Sequence, residues 1–302
     1  MTFEELKKMQ KKYNRLVGIE TVVNFIFVIM AFAFLFVPTN IEIWTEIIIC
    51  IFAGISLLTW YLVRKSFNME KYRKEYKAYF VEQNLKKSFT DLYYNHKEGL
   101  SKKTIEDTGM INLGDRYSSN DYVKGKYQEI SFVQADVTIE KMGEDNYVTI
   151  FHGQWMIFEF PKKFNFRLQI TDKKFGTASK GLTKDKTIKR EIKKIITESD
   201  SFNKQFNING EDEFEAFYIL DPAFIDRIEK LKKENQGTYC FCFYENQLQI
   251  AINNNKDVFE PPKAFRKLDE QKELEKVHQE IKTITDLIDF LRLGQNVLKK
   301  TA

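Results

Sequence analysis

The sequence is poor in the residues that usually carry chemistry. Three histidines, at 96, 152 and 278, and three cysteines, at 50, 240 and 242, are spread over 302 residues. So few histidines argue against a histidine-rich metal site. One cysteine sits in an apolar run and two form a C-x-C in an apolar strand, which makes no disulfide framework and fits a reducing compartment. The C-x-C is read as two alternate positions on a buried strand face. Glycine and proline are also scarce, at 13 and 5 residues. Neither G-x-x-x-x-G-K-[ST] nor G-x-G-x-x-G after a strand occurs, and G-x-S-x-G and H-E-x-x-H are missing too. The sequence therefore assigns no catalytic residue, metal ligand or cofactor. An excess of one charge is lacking as well. The net charge is +4 although 30% of residues are charged, which is no nucleic-acid footprint. The 27 phenylalanines and 14 tyrosines interleave with Glu and Gln as often as with Lys, so they read as core rather than as base-stacking platforms.

Two long apolar runs are present, Val22–Val37 and Ile47–Val63. Each approaches the length a helix needs to cross about 30 Å of hydrocarbon. Their tandem placement predicts a transmembrane hairpin over 17–63, with spans at about 19–37 and 44–63. Pro38–Asn40 breaks the chain between them, and Trp44, Trp60 and Tyr61 stand where aromatic belts form. Lys7, Lys8, Lys11, Lys12 and Arg15 precede the first span, and Arg64, Lys65, Lys71, Arg73, Lys74 and Lys77 follow the second. The connection carries only Glu42 and Glu46. The positive-inside rule then predicts a two-span protein of the cell membrane with both termini cytoplasmic. Within the first span, Asn24 can bond the partner helix and Glu20 can reach water at the cytosolic edge.

The expected fold class is α+β: the hairpin, then a cytosolic domain of antiparallel β segments with helices, and a C-terminal amphipathic helix. Residues 1–16 read as a basic lead-in with Leu6, Met9, Tyr13 and Leu16 at helical spacing. Residues 64–95 read as a juxtamembrane helix and 96–262 as the cytosolic α+β domain. Strand patterning starts near Tyr122. It covers Tyr127–Glu140, turns at Gly143–Asn146, and resumes over Tyr147–Phe151, Met156–Phe160 and Phe164–Ile170, with a turn at Phe151–Trp155. A helix is expected over Lys184–Glu198 and a strand over Phe214–Leu220. A second helix should open at Asp221-Pro222, and a hairpin should turn at Glu245-Asn246. Residues 263–302 contain the last helix, about Asp269–Leu293. Its seam of Leu274, Val277, Ile281, Ile284, Ile288 and Leu291 could dock within the chain or pair two protomers.

Several stretches in this order resemble a bacterial family known as domain of unknown function 3137: Gly114–Gly125, Phe151–Phe164, Glu215–Arg227 followed by Leu248–Ile252 and Asp257–Pro261, and Ile284–Leu293. The resemblance covers roughly residues 70–295, with paired spans ahead of it. It departs at Thr171–Leu182, which is short and lacks a Pro-Asp. The family brings no assigned activity, so the resemblance implies architecture and membrane location only.

Two functional readings follow. The first is a membrane-anchored binding or scaffold module. Its partners would be the lipid bilayer and a protein or anionic lipid at the inner leaflet, or a second copy through the Leu274–Leu291 seam, with no nucleic acid. The second is a membrane-bound enzyme of unfamiliar type. It would use ligand contacts from the Asp115, Arg116 and Asp121 loop and from His152 and Trp155, and it requires those segments to meet in one pocket.

Overall fold

The computed structural model describes residues 1–34, 42–175 and 192–290. Helix α1 (Phe3–Phe34) is unbroken over 32 residues, roughly 48 Å. The helical spacing of Leu6, Met9, Tyr13 and Leu16 carries the lead-in straight into the apolar run. Helix α2 (Glu42–Ser66) runs antiparallel beside it. Ser56 Oγ donates to Asn24 Oδ1 at 2.5 Å, and the Phe27 and Phe52 rings lie 6.2 Å apart. Asn24 thus bonds the partner helix, as its place in the run suggests. The expected break at Pro38–Asn40 lies outside the described residues, as does the side chain of Trp44. Among the described residues, one helix, Phe3–Met30, is long and apolar enough to cross a membrane by length and composition; Ile49–Val63 is a shorter apolar stretch.

The chain divides into two compact units, Met1–Gln83 with Glu260–Lys276, and Asn84–Phe259 with the chain from Val277 on. In the first unit, α3 (Met69–Tyr76) starts where Asn68 Oδ1 accepts from Lys71 N at 2.9 Å, and it continues as a π-helical turn, Lys77–Glu82.

The second unit opens with α4 (Gln83–Ser88), where the helix expected to reach residue 95 stops. Thr90–Asn95 is instead strand β1, paired with β2 (Arg116–Tyr127), and Asp91 sits left-handed at φ 49° where the register shifts. Pairing with β2 extends the sheet by a strand, and this tertiary contact overrides the helical spacing of Phe89 and Leu92. A short helix, α5 (Lys102–Glu106), lies in the connection. Strands β3 (Ile130–Met142), β4 (Tyr147–Asp172), β5 (Lys193–Ile195), β6 (Phe206–Gly210) and β7 (Thr238–Asn253) complete an antiparallel sheet. Its order is β1-β2-β3-β4-β6-β5, with β7 also pairing β4. The antiparallel α+β expectation holds.

Several local expectations are corrected. Tyr127–Glu140 is not one strand: Gln128 and Glu129, at φ 46° and 66°, turn β2 into β3. Phe151–Trp155 is not a turn, because β4 runs through it with ladders on both sides, Gly153 lying between Val137 and Asn253. Glu245-Asn246 is not a hairpin turn either. Glu245 (φ 53°) marks an irregularity in one continuous β7, whose halves pair with the two halves of β4. Of the helix expected over Lys184–Glu198, residues up to 191 lie outside the described set. The remainder forms β5 on the edge of β6, where Ile195 occupies the space beside Gly210. Phe214–Leu220 is not a strand: α7 (Glu213–Ile219) forms because the Asp212 carboxylate accepts from Glu215 N at 3.1 Å and caps it.

Helix α6 (Asp200–Gln205) precedes β6. Helix α8 (Pro222–Glu234) opens as its sequence predicts, with Asp221 Oδ1 accepting from Phe224 N at 2.6 Å and Phe224, Ile228 and Leu231 buried. Helix α9 (Glu270–Phe290) buries Val277, Ile281, Ile284 and Ile288 within the chain; Leu274 is exposed, and Leu291 is outside the described residues. One core cluster joins Ile105, Val137, Phe151, Trp155, Cys240 and Cys242.

Cys240 and Cys242 are fully buried, and burial pushes their thiols up to about 11 and about 12. Neither should react with a maleimide at pH 8 in the native protein, and both should react once it is unfolded, as read by peptide mass spectrometry. A Cβ at Gly153 would lie 2.1 Å from the Ile252 carbonyl oxygen. Gly153→Ala should therefore cost about 2–4 kcal/mol by forcing β4 and β7 apart, measured as a lower urea midpoint of the sheet's unfolding.

Candidate membrane-anchoring site

The first unit is built around α1. Beyond Gly18 the helix shows apolar side chains to the surroundings, among them Ile19, Val22, Phe25 (64% exposed), Val28 and Phe32. Helix α2 does the same with Ile51, Leu57 (67% exposed), Leu58 and Leu62. An apolar band of this extent marks a surface that contacts protein or membrane. Below Gly18 the helix changes character. Lys8, Lys11, Lys12 and Arg15 are exposed, while Leu6 and Gln10 are buried.

Gln10 is a polar residue on the buried stripe, and both ends of its amide are satisfied. Its Nε2 donates to the Arg266 carbonyl at 2.8 Å, and its Oε1 accepts from Leu268 N at 2.8 Å. Asn14, one turn later, accepts from Phe265 N at 3.0 Å. The start of the chain thus straps residues 265–268 along α1. Tyr13 stacks on Phe67 at 4.9 Å between ring centroids, which ties α1 to the segment after α2.

A buried ionic cluster lies in the same unit. Lys77, in the π-helical turn, is 3% exposed, and its Nζ donates to Glu260 Oε1 at 2.7 Å. Arg73 Nε lies 3.2 Å from the other Glu260 oxygen, and Lys276 Nζ donates to the Glu260 carbonyl. Tyr76 and Tyr79 hydroxyls donate to Glu273 and Glu270, each at 2.6 Å. The Glu270 contact raises the Tyr79 pKa above the usual phenol range. Tyr72 is raised further, by burial and by the nearby Glu273 charge. A π-turn displaces the helix register by one residue, and here it coincides with the position of the buried lysine.

The ligand-contact residues expected from sequence lie in the second unit. Asp115 Oδ2 accepts from Met142 N at 2.6 Å, closing the end of the β3–β4 hairpin. Arg116 lies 3.5 Å above the Tyr147 ring and 3.9 Å from Glu140. Asp121 is buried and left-handed (φ 56°), with its carboxylate accepting from Tyr94 Oη and Asn120 Nδ2, each at 2.7 Å. The His152 ring nitrogens contact Asn255 Oδ1 at 2.9 Å and Asp257 Oδ1 at 2.8 Å. Trp155 Nε1 donates to Gln249 Oε1 at 2.8 Å in the core. His152 and Trp155 are three residues apart on a continuous strand, so they project from opposite faces of the sheet. Each of the five has a local structural partner. Sequence reasoning missed Gln10, Lys77 and Glu260. A glutamine one turn after Leu6 on an otherwise apolar stripe was a readable signal for the first; nothing local distinguishes Lys77 from its neighbouring lysines.

A family model described as "Protein of unknown function (DUF3137)" matches residues 149–293. The family resemblance read from the sequence is therefore shown over that stretch, which begins after the Gly114–Gly125 motif. Among solved structures, the crystal structure of the mycobacterial trehalose monomycolate transport factor A, TtfA, is similar, with 7% identity and a TM-score of 0.37 over 72% of this chain and 94% of that one. No curated protein matches.

Gln10→Ala would leave the Leu268 N–H and the Arg266 carbonyl without protein partners, at about 1–3 kcal/mol for each group that stays dry. Amide exchange at Leu268 should accelerate in this variant while exchange in β4 is unchanged. Glu260→Ala would remove the carboxylate that Lys77 meets at 2.7 Å and Arg73 at 3.2 Å, and should destabilise the first unit by about 3 kcal/mol, read as a lower thermal midpoint in detergent.

Proposed function

We propose that the protein is a two-span membrane anchor carrying a cytoplasmic binding or scaffold module. Helices α1 and α2 form the hairpin, and both termini lie on the cytoplasmic side. The observation that carries this reading is the outward apolar band on both helices, exemplified by Phe25 and Leu57, which ends at a belt of exposed lysines and arginines. The antiparallel Asn24–Ser56 contact supports a hairpin, since two helices that cross together return the chain to the side it left. The charge on the flanks orients it, because lysines and arginines resist translocation.

The binding role rests on the second unit. Helix α7 presents Phe214 (83% exposed), Phe217 and Tyr218 on its outer side, the kind of aromatic surface that protein contacts use. A protein partner at the inner leaflet is the reading these residues favour.

Membranes washed in alkaline carbonate should retain the protein, and protease added to intact cells should leave its C-terminal half whole. Release by carbonate, or digestion from outside, would overturn the anchor. Converting Lys7, Lys8, Lys11 and Lys12 to Glu should expose the C-terminal half to external protease in a fraction of molecules, as orientation loses its bias. A photo-crosslinking residue at Phe214 should capture a discrete protein in intact cells; adducts to lipid alone would remove the protein-partner reading.

A further inference from the structure

We propose that the loop Pro261–Lys267 is a second, non-spanning membrane contact, in which Phe265 enters the interfacial layer and Lys263, Arg266 and Lys267 meet anionic headgroups. The inference rests on the reading of α1 as a span. It concerns a segment nearly 250 residues further along the chain, in a part of the sequence with no apolar run.

Three observations place the loop at the boundary between water and oil. First, the Phe265 ring lies against α1 at Gly18: a Cβ there would be 3.8 Å from Phe265 Cε1. Gly18 is where α1 changes from exposed lysines and Arg15 to exposed Ile19 and Val22. Second, the antiparallel pairing of Asn24 with Ser56, and of Phe27 with Phe52, sets Tyr61 and Lys65 of α2 level with this point. Lys65 Nζ lies 5.9 Å from the Tyr61 ring centre, an aromatic and a cation together, as interfacial belts carry. Third, Phe265 is 62% exposed although it is a large apolar side chain.

The backbone holds that exposure against its own preference. Phe265 has φ 66°, a left-handed conformation that a bulky residue seldom adopts. Its N–H is fixed by Asn14, the next carbonyl by Gln10, and the Arg266 N–H donates to the Lys263 carbonyl at 3.2 Å. The hydrogen bonds on both sides therefore impose a strained turn whose result is an aromatic ring held outward beside the span. Lys263, Arg266 and Lys267 are exposed and make no ion pair among the described residues. An anionic leaflet supplies the missing counter-charge, and the ring gains by leaving water for the headgroup–acyl boundary. The occupant is therefore the lipid surface that α1 itself crosses.

Site-directed spin labelling tests this in the full-length protein, with Cys50→Ser removing the exposed thiol and buried Cys240 and Cys242 left in place. The protein is reconstituted in vesicles of phosphatidylethanolamine and phosphatidylglycerol. Labels are attached singly at Phe265→Cys, Val22→Cys and Lys230→Cys. The label at 265 should collide with lipid-dissolved oxygen several-fold more often than the exposed control at 230, and should be shielded from a water-soluble nickel chelate. A label at 265 as open to the chelate as that at 230, while the label at 22 reports lipid, would overturn the loop contact and leave the anchor standing. A label at 22 that itself reports water would overturn the span, and the loop contact with it. Because residue 265 is exposed, its substitution does not threaten the fold.

Discussion

The rigidity of α1 is the constraint from which the rest of the first unit follows. A helix bonded from each N–H to the carbonyl four residues earlier does not bend without a cause such as proline, and none lies between Phe3 and Phe34. Roughly 48 Å of helix is more than the about 30 Å that hydrocarbon needs, so in the proposed anchor about a third of it would stand outside the apolar layer. That third is the column on which the strap at 265–268 is hung. The point at which α1 changes from exposed basic to exposed apolar side chains therefore fixes the distance of Gln10, Asn14 and Phe265 from it.

Polar groups fix the assembly and apolar ones supply the force. Leu6, Tyr76 and Phe80 are buried and would pack in many arrangements. The Gln10 amide accepts only one: its oxygen needs an N–H and its nitrogen a carbonyl, and Leu268 and Arg266 supply them with the right spacing. Lys77 acts in the same sense. A charge that is 3% exposed needs an acceptor close by, and the π-helical turn sets its Nζ 2.7 Å from Glu260 Oε1.

The large apolar signals were legible in the sequence and the local strand signals were not. The runs at Val22 and Ile47 become helices, Asp221-Pro222 opens α8, and Gly143–Asn146 turns β3 into β4. Each depends on chemistry within a few residues. The failures depend on distant partners. Gln128-Glu129 turns with neither glycine nor asparagine, because the strands on each side outweigh two unfavourable φ angles. Gly153 reads as a turn residue in isolation, yet it is there because β7 leaves no room for a side chain. Glu245 likewise turns nothing, since β4 bends in step with β7. Of the site, the apolar band and its basic flank were visible at once. The residues that organise the flank were hidden because their partners are 183 to 258 positions away.

That separation gives the Gln10 contact a meaning in time. Leu268 follows Gln10 by 258 positions. At roughly 5–20 residues per second the interval between their synthesis is about 13–50 s, during which the amide has neither of its later partners. Closing it reports that synthesis has passed residue 268. A chain truncated before that point would keep its polar socket open, distinguishable by its hydration from one that extends past residue 268.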